Sequence, residues 1–171
     1  MFTARTVLHP TNFSDCSRCA FQVAATLARE QGGHLIVLHV NQTLGPTVAF
    51  GEALADLRPQ EYKDWLWKVL RRFQVPDPQV TVEHRMEEGD PAQVILRTAA
   101  ETDSDLIVMG THGRARLEQL VLGSVAEQVL RQASRPVVTV KRPQGTACVG
   151  GSRNAGPAPA EAEAAGSQIC I

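Results

Sequence analysis

Three glycines and a serine stand at fixed spacing in the segment GTHGRARLEQLVLGS. Two residues separate Gly110 from Gly113, nine separate Gly113 from Gly123, and Ser124 follows directly. An apolar run, DLIVM, precedes the segment, and a helical pattern, SVAEQVLRQAS, follows it. The start of a helix presents unpaired N–H groups and the positive end of the helix dipole, which attract anions. The segment therefore indicates either an anion-binding loop or a structural turn.

The spacing matches neither of two common phosphate motifs. A P-loop needs four residues between its glycines and then a lysine, and the dinucleotide fingerprint needs Gly-x-Gly-x-x-Gly. Arg114 and Arg116 supply positive charge inside the segment. Ser124 also has a structural interpretation, because Ser124-Val-Ala-Glu127 fits a capping box that would occupy its hydroxyl.

Other reactive residue types give weaker patterns. Cys16 and Cys19 form a C-x-x-C at a predicted helix start, which allows thiol redox chemistry, but helix packing is the alternative that we favour. The four cysteines suggest no disulfide framework, and none of the five histidines belongs to a metal-binding motif. We expect no metal site.

Composition narrows the class of protein. The 171 residues are 43% hydrophobic and 20% charged, with a net charge of -1, so we expect neither nucleic-acid nor membrane binding. The first residues lack the apolar core of a signal peptide, which favours the cytoplasm. Residues 1–142 are predicted to form one domain. Residues 143–171, rich in Gly, Pro and Ala, are predicted to be a disordered tail.

Strand and helix patterns alternate along the domain. Strands are predicted at residues 6–10, 34–40, 79–85, 105–109 and 136–141, with the third at an edge, and helices at 14–31, 59–73, 91–101 and 124–132. Trp65 belongs to the apolar stripe of the second helix, whereas Trp67 lies off it and is expected at an exposed interface. The order predicts a doubly wound, Rossmann-like α/β fold with a five-stranded parallel sheet, whose ligands bind at the carboxyl ends of the strands.

Four stretches of the chain resemble the universal stress protein family: TVLHPTNFSDCS, HLIVLHV, EEGDPAQVI and DLIVMGTHGRARLEQLVLGSVAEQVL. The ATP-binding branch of that family carries Gly-two residues-Gly-nine residues-Gly-Ser/Thr, which this sequence matches in full. The resemblance implies ATP, with or without Mg²⁺, at the carboxyl ends of the strands. The implied contact residues are Pro10, Asn12, Val40, Gly110, Thr111, His112, Gly113, Arg114, Arg116, Gly123, Ser124, Val125 and Ala126.

One position departs from the family pattern. Asn12 stands where ATP-binding members usually have Asp, and an amide is a weaker acceptor for a ribose hydroxyl than a carboxylate. The family also implies a homodimer that pairs the last strand antiparallel across a two-fold axis, here through Val137, Val138 and Val140.

The sequence thus predicts a stress or signalling module that binds ATP and changes its protein contacts with nucleotide state. A nucleotide-free interaction protein, a slow ATP hydrolase and a thiol redox protein are the alternatives. Hydrolysis is disfavoured, because no loop carboxylate is an evident partner for Mg²⁺ and Asp105 lies at the wrong end of its strand.

Overall fold

The computed structural model describes residues 4–42, 58–111 and 122–141, in which five strands alternate with four helices. The strands are β1 (Thr6–Pro10), β2 (His34–Asn41), β3 (Thr81–Glu88), β4 (Leu106–Gly110) and β5 (Val137–Val140). The helices are α1 (Asp15–Glu30), α2 (Pro59–Leu70), α3 (Pro91–Glu101) and α4 (Ser124–Gln132). The predicted tail, residues 143–171, lies outside the described residues.

All strand pairs are parallel, in the order β3-β2-β1-β4-β5. The predicted fold class is confirmed, and β3 lies at an edge as expected. The chain runs outward from β1 to β3 and then returns to β4 on the other side of β1. In doubly wound sheets this reversal opens a crevice at the carboxyl ends of the two strands. The end of β1 and the end of β4 therefore border the place where such folds bind ligands.

Alternate residues of the central strands pack on opposite faces of the sheet. Val7, Leu35, Val37 and Val108 join a core with α1 and Phe73. On the other face, a second core with α3 and α4 contains Leu8, Ile36, Leu38, Ile107 and Met109. Because both faces are covered, the inner strands are mostly apolar, as is typical of parallel sheets.

Local signals explain where the helices begin and end. The Ser14 side chain caps α1 by accepting from the Ser17 N–H at 3.2 Å, and Gly32, at φ 56°, follows the end of that helix. Asp90 caps α3 and Pro91 takes its first position. The predicted bounds of α3 and α4 are confirmed, whereas α2 ends at Leu70, three residues before the predicted end. That helix has no glycine at its end to mark the boundary.

The two tryptophans of α2 both pack inward. Trp65 lies against Tyr62 and Leu66, as its place in the apolar stripe predicts. Trp67 is half-buried against the core below α1, and the Arg71 guanidinium lies 5.4 Å from the centre of its ring. The expected exposure of Trp67 is wrong, because its ring packs against the core and the Arg71 guanidinium lies over it.

No helix within the described ranges is long and apolar enough to cross a membrane.

His9, on β1, is fully buried, with the rings of Phe21 and Phe73 centred 5.7 and 6.2 Å away. Its Nδ1 donates to the Val108 carbonyl at 2.8 Å, so Nδ1 carries the ring proton. The other nitrogen, Nε2, has no hydrogen-bond partner in the described part of the chain. Burial lowers the pKa of His9 from 6.5 to about 4, and the bond to Val108 offsets only part of that effect.

This low pKa predicts that acid destabilises the fold. The unfolded chain takes up a proton on His9 near pH 6.5, whereas the folded chain does so only near pH 4. Between these values acid favours unfolding, and His9 alone should remove about 3 kcal/mol of unfolding free energy as the pH falls from about 7 to about 4.

The test is urea denaturation of the wild type and of His9→Gln at both ends of that pH range. The wild type should lose about 3 kcal/mol more unfolding free energy than the variant. Equal losses would contradict the neutral, buried state of His9.

Candidate functional site

The loop after β1 is built by hydrogen bonds among its own side chains. The Asn12 Oδ1 atom accepts from the Ser14 N–H at 3.2 Å and from the Ser14 hydroxyl at 2.7 Å. Phe13, between them, has φ 64°, a left-handed conformation that is uncommon for a bulky residue. Asn12 therefore stabilises the turn into α1, and the oxygen that the family resemblance assigns to ribose already serves the loop.

His39, near the end of β2, holds this loop from the side. Its Nδ1 donates to the Thr11 carbonyl at 2.9 Å, and its ring lies 4.3 Å from the ring of Phe13. The imidazole thus fixes both the backbone and the side chain of the β1 loop against β2. Val40 follows His39 directly and is half-buried. Two of the predicted contact positions, Asn12 and Val40, are attached to this one rigid unit.

The described ends of the glycine-rich segment are joined to each other. The Gly123 N–H donates to the Thr111 carbonyl at 2.7 Å. The Thr111 N–H in turn donates to the Val140 carbonyl at 3.0 Å, at the end of β5. The start of α4 is therefore fixed at the carboxyl end of β4, beside the crevice. The predicted residues His112, Gly113, Arg114 and Arg116 lie outside the described residues.

The first turn of α4 differs from the predicted capping box. Gly123 is the capping residue, with φ -59° and ψ 147°, and no side chain caps the helix. Ser124 is already the first helical residue, so its hydroxyl is in the wrong position to bond the N–H three residues ahead. Glu127 instead donates its N–H to the Gly123 carbonyl and pairs its carboxylate with Arg131 at 2.8 Å. The capping-box interpretation is wrong.

Because no side chain caps α4, polar groups at the start of the helix are available to a ligand. Ser124 is exposed, and its hydroxyl has no hydrogen-bond partner among the residues that the structure describes. The N–H groups of Ser124, Val125 and Ala126 have no acceptor within the helix, as in the first turn of any helix. Val125 and Ala126 point their side chains into the core between α3 and α4, so only their backbone can meet a ligand.

Cys16 and Cys19 are both buried, each 6% exposed, on the first turns of α1. Cys16 is a free thiol that donates to the Val140 carbonyl at 3.2 Å. A redox pair of the C-x-x-C type needs an accessible thiol at the helix start. The burial of Cys16 therefore favours the packing interpretation for that residue, whereas Cys19 is disulfide-bonded, which the cysteine spacing did not predict.

The histidines near the crevice bond to backbone carbonyls. His9 bonds to Val108, and His39 bonds to Thr11. Within residues 4–42, 58–111 and 122–141, no group of three His, Cys, Asp or Glu side chains could hold a metal ion. The described part of the site thus offers backbone N–H groups and a hydroxyl, which are donors suited to an anionic organic ligand.

A family model described as the universal stress protein family matches residues 3–141. The chain belongs to the universal stress protein family. Universal stress protein MJ0531 of Methanocaldococcus jannaschii is 35% identical over 142 aligned residues, and the match covers 81% of this chain and 82% of that protein.

Solved structures of this family share the fold. The structure of MJ0577, also from M. jannaschii, gives a TM-score of 0.66 at 27% identity and covers 83% of this chain and 99% of that one. A universal stress protein in complex with cAMP gives a TM-score of 0.61 at 24% identity, covering 81% of this chain and 97% of that one. The second likeness, at its lower identity, shows the fold alone.

The sequence predicted a site at the carboxyl ends of the strands, but it did not reveal the residues that fix the loops there. No sequence motif marks the contacts of His39 with Thr11 and Phe13, or the bond from Cys16 to Val140 of β5. A histidine just before the end of a buried strand was the available signal for His39, because a buried imidazole needs a hydrogen-bond partner nearby.

Proposed function

We propose that this universal stress protein binds an adenine nucleotide, ATP, at the carboxyl ends of β1 and β4. The observation that carries the proposal is the bond from the Gly123 N–H to the Thr111 carbonyl. It brings the positive end of the α4 dipole to the crevice, together with the Ser124 hydroxyl, which has no partner among the described residues. An anion gains most from such a helix start when it reaches the N–H groups of the first turn directly.

In this proposal the two ends of the nucleotide occupy different elements. The phosphates meet the first turn of α4 at Ser124, Val125 and Ala126, with charge added by Arg114 and Arg116. Thr111, His112, Gly113 and Gly123 complete the loop around them, which begins at Gly110. The adenosine lies towards Pro10, Asn12 and Val40, on the unit that His39 holds. The ligand class is proposed from family membership, because another universal stress protein has been solved in complex with cAMP.

Binding is favoured over rapid hydrolysis. Phosphoryl transfer needs a metal-holding oxygen and a group that orients water. The Asp105 carboxylate accepts from the Thr6 N–H at 2.9 Å, at the amino ends of the strands and away from the crevice. Glu87, nearer the crevice, is held by Arg97 and by the Thr98 hydroxyl. If Mg²⁺ accompanies ATP, the Ser124 hydroxyl is the oxygen placed to meet it.

We further propose that the protein acts in the cytoplasm as a stress-response module. Nucleotide at the crevice would touch the β1 loop and the start of α4 together. Its arrival or loss would change the surface that those two elements offer to protein partners. A nucleotide-free interaction protein is the competing function, and a direct binding measurement separates the two.

The binding prediction uses Gly123→Asp. The backbone at Gly123 suits any residue, and Asp is a favoured helix cap, so α4 should be as stable as before or more so. The new carboxylate would occupy the N–H groups of the first turn and repel phosphate. ATP affinity, measured by calorimetric titration, should fall by about tenfold or more.

The matched control is Ser134→Asp, which adds the same charge after the other end of α4. It should bind ATP like the wild type. A wild type that does not bind ATP, or Gly123→Asp binding as tightly as the wild type, would contradict the proposed site.

We also propose a homodimer through β5, the edge strand beside β4. The carbonyls of Pro136 and Val140 accept from β4 and its extension, so the alternate residues Val137 and Thr139 turn their backbone groups to the open edge. Of the three predicted interface valines, Val138 is 36% exposed, while Val137 and Val140 pack against the two cores. Antiparallel pairing across a two-fold axis would satisfy that edge.

The dimer prediction uses Thr139→Pro, which removes one outward N–H and leaves the bonds to β4 in place. We expect the variant to be a folded monomer in sedimentation equilibrium. Thr139→Val keeps the N–H and should remain a dimer with the wild type. A monomeric wild type, or dimeric Thr139→Pro, would rule out pairing through this edge.

A further inference from the structure

Gly110, the first glycine of the motif, faces α1 closely. A Cβ at this position would lie 3.0 Å from the Cys16 Sγ, 3.1 Å from the Cys16 carbonyl carbon and 3.2 Å from its oxygen. Gly110 does not have a positive φ, so an alanine here would not be strained by its backbone conformation. The absence of a side chain at Gly110 is instead required by the first turn of α1.

The same cysteine is bonded to the neighbouring strand. The Cys16 thiol donates to the Val140 carbonyl at 3.2 Å, and that carbonyl also accepts from the Thr111 N–H at 3.0 Å. The Thr111 carbonyl then accepts from Gly123 at 2.7 Å. A short series of contacts therefore runs from α1 through the end of β5 to the start of α4.

We propose that Gly110 is a positioning residue of the nucleotide site, and that its close contact with Cys16 determines where the glycine-rich segment begins. This inference rests on the proposed function for its effect on binding. Its structural part, the tight packing of β4 on α1, stands on the distances alone. The first glycine of the motif then serves helix packing, whereas Gly123 borders the ligand.

The physical consequence of a side chain at Gly110 follows from which atoms can yield. The Cys16 sulfur can rotate away only by giving up its bond to Val140. The Cys16 carbonyl carbon and oxygen can move only with the backbone of α1. A methyl group at Gly110 would therefore push β4 and α1 apart and displace Thr111, which holds the start of α4.

The test is a double-mutant cycle of Gly110→Ala and Cys16→Ala, with two readouts. The first is the thermal midpoint without nucleotide, and the second is ATP affinity. Gly110→Ala should lower the midpoint by about 5 °C and weaken ATP binding about tenfold. The double variant should recover part of both losses, because the sulfur is gone. The remainder reflects the Cys16 backbone atoms.

Several results would overturn the inference. One is Gly110→Ala with the midpoint and ATP affinity of the wild type. Another is losses that simply add in the double variant. A third is a normal midpoint with lost ATP binding, which would show that Gly110 contacts the nucleotide directly. If the wild type itself does not bind ATP, the proposed function fails. The thermal midpoints of the four proteins without nucleotide then still test the packing contact.

A second variant covers the case in which Gly110→Ala does not fold. Cys16→Val adds bulk from the α1 side of the same contact. Like Gly110→Ala, it should lower the thermal midpoint, and it should weaken ATP binding about fivefold or more. A Cys16→Val protein that matches the wild type in both readouts would also refute the positioning role.

Discussion

The proposed site depends on the hydrogen bond that joins the Gly123 N–H to the Thr111 carbonyl. At 2.7 Å it ties the first turn of α4 to the end of β4. Thr111 is itself held by Val140 of β5, whose carbonyl also receives the Cys16 thiol. The helix start is therefore positioned by three elements at once. A preformed site of this kind loses little conformational entropy when a ligand arrives.

On the β1 side of the crevice, the loop is held by His39 of β2. His39 bonds the Thr11 carbonyl and packs its ring against Phe13, so the β1 loop keeps a left-handed residue that would otherwise be unfavourable. This packing offsets part of the cost of ordering the loop before a ligand binds. The parallel sheet brings the two halves together, because β1 and β4 are neighbours although α1, β2, α2, β3 and α3 separate them in sequence.

The sequence predicted the fold well where a residue type has one dominant local role. Pro91 after Asp90 marks a helix start, and the α3 bounds are confirmed. The apolar runs of β1 and β2 indicate buried parallel strands, and both begin at the predicted residue. Strand β3 is shifted by two residues at its start, because an edge strand with mixed polarity has a weaker pattern.

The sequence was less informative where contacts join distant segments. Ser124 and Glu127 fit a capping box, but Gly123 takes the capping position because its N–H is anchored to Thr111, which no local pattern reveals. Trp67 lies off the apolar stripe of α2, yet Arg71 covers its ring. The family resemblance implies that Gly110 contacts the nucleotide, but it does not reveal that Cys16 lies where a side chain at Gly110 would be.

Amide chemical shifts of the ¹⁵N-labelled protein during an ATP titration test the central claim most directly, because they report where the ligand lies. The account predicts the largest changes at Ser124, Val125 and Ala126, with further changes at Asn12 and Val40. The amide chemical shifts of residues at the amino ends of the strands, such as Thr81 and Asp105, should hardly change. Shift changes centred on the amino ends of the strands, or no changes at saturating ATP, would contradict a nucleotide held between the carboxyl ends of β1 and β4.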